Sequence, residues 1–287
     1  MEFQLQSDFP ISLSHTVKSH GWVHLAPWNW NEVSGVLSRT ERSSKGDLFS
    51  ITVTQLNLNS VLVSCNRPDI DGTLQEKAAR YVRRWLSLDW NPGPTIDTAN
   101  RIDPRIAQLL EEGAGRFLRS STFYEDVVKT ICTINTNWTS TTRMVSSLVR
   151  LLGDDSFPSP TAILKSGESF LRKETRLGFR SKTLLAVTSA LTDNNIINEE
   201  GSINSRLNVE YLLSLKGIGP YSARHLAMLE HDFSEIPIDS EVKSFCKNTY
   251  GIESQEIDLF FADWGPHKFL GYKLGRQLAS RNANHDQ

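Results

Sequence analysis

A glycine-rich turn and a carboxylate eighteen positions beyond Tyr221 carry most of the chemistry legible in this chain. In LNVEYLLSLKGIGPYSARHLAML (residues 207–229), Leu207, Tyr211, Leu212 and Leu215 share one helical face, and Ala223, Leu226 and Ala227 share another. Between them sits Gly217-Ile218-Gly219. Glycines permit a tight reversal with φ > 0, Ile218 plugs the gap between the helices, and Pro220 suits the first turn of the second helix. Free N–H groups of the turn and of the new helix then converge on one point. A phosphate fits there without any side-chain charge, and Lys216 alongside adds a phosphate contact. Taken alone, a GxG between helices is as often a C-cap and a turn as a phosphate site.

The carboxylate is Asp239, in FSEIPIDSEVKSFC. Ile236, Pro237, Ile238 and Val242 surround it with apolar residues and predict a partly enclosed site. Aspartate is also a favoured N-cap for a helix starting at Ser240, and both roles are compatible: capping fixes the carboxylate's orientation and keeps it ionised.

The elements that must position these residues change character along the chain. The first seventy or so residues read as β-rich: in LFSITVTQLNLNSVLVSC, Ile51 and Val53, Leu56 and Leu58, then Val61, Val63 and Cys65 alternate with polar neighbours. HGWVHLAPWNW, with Trp22, Val23 and Leu25, predicts another strand. Near Asp71-Gly72 the period becomes helical. Thr73 and Glu76 have capping-box spacing, and Ala78, Val82, Trp85 and Leu86 fall inward. WNPGP (residues 90–94) reads as a linker or turn. From about residue 103 nearly everything is helical; Thr122 and Glu125 form a second capping box, and further helices are expected at 138–152, 160–173, 180–193, 207–215, 221–230, 240–250 and 266–281. The expected fold is α+β. An N-terminal antiparallel sheet domain with its following helix and linker spans residues 1–94, and a helical body spans 95–287, with a helix-hairpin-helix at 212–230.

Bulk composition sets limits. The chain has 287 residues, 39% hydrophobic and 22% charged, enough to bury a core without staples. Cys65, Cys132 and Cys246 are scattered singly, with no CxxC pair, which argues against both a disulfide framework and an iron–sulfur centre. His20 and His24 flank Trp22 in the expected strand, where structural use outweighs metal binding. No apolar run is long enough for a membrane span, and MEFQLQSDF lacks a basic region followed by an apolar one, which argues against secretion or membrane insertion. A net charge of −2 argues against a broad basic nucleic-acid surface but not against a few focused phosphate contacts.

LKGIGPYSARHLAML followed by IPIDSEV resembles the helix-hairpin-helix DNA glycosylase superfamily, whose hairpin precedes a catalytic aspartate. STFYEDVVKTICTINTNWTSTTRMVSSLV, FPSPTAIL and LGFRSKTLLAVTSAL follow the order of 8-oxoguanine and inducible 3-methyladenine glycosylases; DIDGTLQEKAARYVRRWLSLD and IDPRIAQLL are similar too. The resemblance implies a base-excision enzyme that flips a damaged base from double-stranded DNA and cuts its N-glycosidic bond. Asp239 would match the catalytic aspartate, and Lys216, Gly217, Ile218 and Gly219 the backbone grip. Asn135 would match the side chain inserted into the gap left by the flipped nucleotide. Asn137 and Trp138 read equally well as a polar helix terminus, and Arg180 and Lys182 as a solvated face. Tyr221 stands where lyase-competent members carry a lysine, so simple hydrolysis is expected, with Tyr221 as a wall of the base pocket. Lys216 or Lys243 could act as a displaced lysine in a glycosylase/lyase; a non-catalytic DNA-binding protein is the remaining alternative. Among substrates, alkylated purines rank first, then oxidised purines, then deaminated bases. No cofactor is expected beyond a monovalent cation at the hairpin. The chain is expected to act as a monomer, without membrane contact, in a bacterial cytoplasm or a nucleus.

Overall fold

The structure, a computed structural model, describes residues 1–69, 72–204 and 208–285; Asp71 and Leu207 lie outside the described residues. Strands β1 (Glu2–Gln6), β2 (Trp28–Asn31), β3 (Val36–Arg42), β4 (Leu48–Asn57) and β5 (Ser60–Cys65) form one antiparallel sheet in the order β1-β5-β4-β3-β2. A short helix, α1 (Leu13–Val17), follows β1. The rest is helical: α2 (Thr73–Trp85), α3 (Gly93–Ile102), α4 (Pro104–Glu111), α5 (Phe123–Thr133), α6 (Trp138–Leu152), α7 (Pro160–Lys173), α8 (Arg180–Asp193), α9 (Val209–Ser214), α10 (Pro220–Leu229), α11 (Ser240–Tyr250), α12 (Ile257–Phe260) and α13 (Lys268–His285). No described helix is long and apolar enough to cross a membrane.

The α+β architecture is as expected, and the departures are local. In the sheet, Leu37, Val53 and Val63 stand in one row and face the core. Leu56 and Leu58 break this rule and are exposed, because the β4–β5 register shifts between Gln55 and Asn57. The strand expected around Trp22 begins only at Trp28; Gly21–His24 is a 3-10 turn. Trp22, Val23 and Leu25 are all buried, which a compact turn achieves and a one-faced strand does not. Thr73 does not cap α2: Gly72 precedes the helix in the left-handed region, and the Asp69 carboxylate accepts from Leu74 and Gln75 N–H. Thr122 does cap α5, accepting from Glu125 N–H at 3.2 Å. WNPGP breaks the chain as expected, but α3 starts within it.

The Glu125 side chain belongs to a buried ion network instead of to the cap. Arg39 on β3 grips it with two bonds of 3.0 and 2.8 Å, Lys129 pairs with it at 2.8 Å, and Glu41 takes the remaining Arg39 Nε at 2.6 Å. Burial alone would raise the Glu125 carboxyl, but the two cations hold it down at about 2. Next along α5, Asp126 pairs with Arg84, which also holds Glu230 at the end of α10 at 2.6 Å. These pairs tie the sheet to α5 and α5 to α10. Breaking one partner of such a buried set costs about 3–5 kcal/mol, so the elements that carry the site are held in fixed relation.

Candidate active site

The hairpin forms between α9 and α10. Gly217 has φ 93°, where a side chain is strained, and a Cβ there would lie 2.6 Å from Thr183 Cγ2 on α8. Ile218 is buried between the helices as expected. Gly219 differs from expectation: its backbone is extended, and a Cβ on it would meet nothing within 4 Å. Its lack of a side chain therefore leaves the outer surface of the turn open. The first helical bond of α10 runs from Ala223 N–H to Gly219 C=O at 3.0 Å. The N–H groups of Gly219, Tyr221 and Ser222 come before it and have no partner among the described residues.

Asp239 is the N-cap of α11. Its Oδ1 accepts from Glu241 N–H at 2.9 Å and from Val242 N–H at 2.8 Å, while Oδ2 has no partner among the described residues. Ile236 and Val242 are buried on either side and anchor the segment. One oxygen is thus spent on positioning and the other is presented.

Two hollows meet at this carboxylate. An open groove of about 720 Å³ is lined by Asn135, Gly217, Gly219, Tyr221, Ser222 and Asp239. Behind it lies a cavity of about 320 Å³, walled by His20, Trp22, Trp138, Tyr221, His225 and Tyr272, with Lys273 and again Asp239. Tyr221 stacks on His225, with ring planes 12° apart, and Trp22 lies 5.0 Å from His225 and 4.9 Å from His20. Trp22 Nε1 donates to Asp126 at 2.8 Å, so the ion network sets this wall. Burial, reinforced by Asp239 and Glu241, pushes the Tyr221 phenol up to about 12. Burial and then the Lys273 charge push His225 down to about 4, so its ring is neutral at neutral pH. Volume and lining suit one flat, aromatic base.

The structure brings Asp239, Tyr221, Asn135 and the hairpin glycines to one place. Asn135 is exposed and left-handed, φ 46°, opposite the hairpin. The loop that carries it is clamped from below by Arg180, whose Nε donates to Ile134 C=O at 2.9 Å and whose Nη2 donates to Asn135 C=O at 3.1 Å. Arg180 is buried, so the solvated-face reading fails for it, whereas Lys182 is exposed. Asn137 caps α6 through Ser140 N–H, the structural one of its two readings. Trp138 is half exposed and lines the cavity.

Lys216 and Lys243 are exposed and line neither hollow. The lysine in the cavity is Lys273, which the sequence did not single out. Its signal was a stripe on α13: Phe269, Tyr272, Lys273 and Arg276 follow i, i+3, i+4, i+7 spacing, and all four line the cavity. His20 and Trp22 went unrecognised because the segment was read as a strand. No group of three or more His, Cys, Asp or Glu side chains able to hold a metal occurs among the described residues.

No protein-family model matches the chain, and no curated protein matches its sequence. Solved structures do match over nearly the whole length. A 3-methyladenine DNA glycosylase from Archaeoglobus fulgidus superposes with a TM-score of 0.71 at 18% identity, covering 95% of this chain and 97% of its own. An 8-oxoguanine glycosylase/lyase from Clostridium acetobutylicum, bound to double-stranded DNA with cytosine opposite 8-oxoguanine, gives a TM-score of 0.65 at 16% identity, covering 98% of each chain. Its apo form gives 0.66 at 17% identity, covering 96% of this chain and 97% of its own. The chain therefore has the fold of the helix-hairpin-helix DNA glycosylases, with the N-terminal sheet and the helical body both included.

Proposed function

We propose that the protein is a DNA glycosylase that turns a damaged base out of duplex DNA and hydrolyses its N-glycosidic bond without cutting the strand. One observation carries the reading: Asp239, fixed by two backbone N–H groups, presents its free oxygen where a backbone-binding groove opens into an aromatic cavity of base size. The unpaired N–H groups at the start of α10 take a phosphate, which places the adjacent sugar beside Asp239. Asn135 fills the stack from the opposite side as the base enters the cavity. As the C1′–N bond breaks, the Asp239 carboxylate stabilises the cationic sugar and orients water. The water oxygen bonds C1′, and its proton goes to the departing base. No step uses a cofactor; a monovalent cation bound at the hairpin would serve only the backbone grip. The protein acts as a monomer wherever the DNA is kept.

Duplexes carrying single 3-methyladenine-type, 8-oxoguanine, hypoxanthine or uracil lesions, treated with the protein and then with heat and alkali, reveal abasic sites. Release of a base by the wild type supports the reading; tight binding with no release from any lesion would leave a DNA-binding protein. A second reading, a glycosylase/lyase, is favoured by one observation, the presence of Lys273 in the cavity. A lyase would form an imine that borohydride traps on DNA and would cut the strand before alkali. Hydrolysis predicts neither.

A further inference from the structure

The cavity behind Asp239 holds polar atoms that the protein leaves unanswered. His20 Nε2 bonds to the Leu118 carbonyl at 2.8 Å, so Nε2 carries the proton. Burial keeps the ring neutral, with His225 and Lys273 acting in the same direction. His20 Nδ1 is then a bare acceptor, and it is buried without a partner. Lys273 lines the same cavity and makes no hydrogen bond or ion pair among the described residues. Burial lowers its pKa, as does Arg276 on its own helix, while Glu241 and Asp239 on the facing segment favour the ammonium. It shares the lining of that cavity with both His20 and His225. Buried polar atoms are rarely left unpaired without a functional reason.

We propose, resting on the glycosylase reading, that Lys273 and His20 read the flipped base together. The ammonium donates to a carbonyl oxygen, and His20 Nδ1 accepts from the neighbouring ring N–H. The cavity then takes a neutral base whose edge carries N–H beside C=O, such as N7–H/C8=O of 8-oxoguanine or N1–H/C6=O of hypoxanthine. A cationic N-alkylated adenine, such as 3-methyladenine, would meet like charge and, lacking a carbonyl, offers no partner for the ammonium. The aromatic walls alone favoured alkylated purines; Lys273 reverses that order. Guanine and thymine also carry such an edge, and discrimination against them falls to the greater cost of unpairing a normal base.

Single-turnover base release separates the possibilities. The substrates are duplexes with hypoxanthine, 1-methylhypoxanthine (no N1–H), 8-oxoguanine and cationic 3-methyladenine (no carbonyl), and the proteins are wild type and Lys273→Met. The wild type is expected to prefer hypoxanthine or 8-oxoguanine and to lose about tenfold or more on 1-methylhypoxanthine. The variant is expected to lose about 10–100-fold on the neutral lesions and nothing on 3-methyladenine. Because each variant is compared with itself across substrates, partial unfolding cannot mimic the result. A larger wild-type acceleration over spontaneous release for 3-methyladenine than for the neutral lesions, or an equal change on all substrates in the variant, would overturn the assignment. Equilibrium binding of the same duplexes gives a readout without bond cleavage. No release with the binding preference intact would overturn the enzymatic reading alone, and equal binding of all four would overturn the base reader.

Discussion

Replacing Asp239 by asparagine separates the two roles that this residue combines. Asparagine retains an oxygen that can accept from Glu241 and Val242 N–H, now at 2.9 and 2.8 Å, and it caps helices about as well as aspartate. Stability should therefore move by less than about 0.5 kcal/mol. The charge, however, is lost. A carboxylate about 4 Å from a cationic sugar, at an effective dielectric near 20, contributes about 4 kcal/mol, equivalent to about a 10³-fold rate difference. Asp239→Ala removes cap and charge together and should cost about 1 kcal/mol of stability as well. Thermal denaturation gives the first quantity and single-turnover base release the second. If Asp239→Asn kept more than a tenth of the wild-type rate, or lost as much stability as Asp239→Ala, the assignment of one oxygen to the helix and the other to chemistry would be wrong.

The hairpin glycines should behave differently from one another. Gly217→Ala, forced to φ 93° with its Cβ 2.6 Å from Thr183, should lose about 1–3 kcal/mol, seen as a lower Tm, whereas Gly219→Ala should fold normally and bind undamaged duplex more weakly. Equal stability of the two variants would contradict the geometry. Asn135→Gly keeps the left-handed backbone while removing the side chain, so its denaturation midpoint should hold as base release falls about tenfold or more; unchanged release would remove Asn135 from the flipping step. Acid should destabilise the protein through His225, whose folded pKa of about 4 lies below its unfolded value of 6.5. The neutral ring is the folded form, so this stability is fully present above pH 6.5 and is lost as pH falls toward 4. The pKa difference corresponds to about 3 kcal/mol. Denaturant titrations from pH 7 to 4 should show a shallower decline in His225→Phe; an identical slope would mean that the ring is not buried neutral.

What was legible in the sequence follows from the range of the interactions involved. Helices α6, α7, α8 and α11 fall on the expected residues, and for α6, α7 and α11 a single side chain, Asn137, Ser159 or Asp239, caps the first turn. The hairpin and Asp239 lie within one stretch whose turn chemistry is local. Strands β1 and β3 carry no such punctuation. Their partners are β5 and β4, and in β3 the inward positions include Arg39 and Glu41, whose burial makes sense only beside Glu125. His20 depends on Leu118, Arg180 on the Ile134 and Asn135 carbonyls, and Lys273 on a cavity assembled from five parts of the chain. Those contacts are products of the packing, and only the spacing on α13 hinted at the last of them.

A chain with net charge −2 has little uniform attraction for a polyanion, so the grip on DNA proposed for it would have to come from oriented dipoles rather than from a basic surface. On the proposed reading the unpaired N–H groups at the start of α10 would supply that grip at a single phosphate, and Asp239 stands at the start of another helix, α11. A carboxylate beside a bound phosphate is repelled by it. The N-terminus of α11 offsets that repulsion without a cation that would cancel the carboxylate's field. The same demand explains why the cavity's own cation, Lys273, is on α13 and unpaired rather than bridged to Asp239. An ion pair there would silence both the carboxylate and the ammonium in the roles proposed for them.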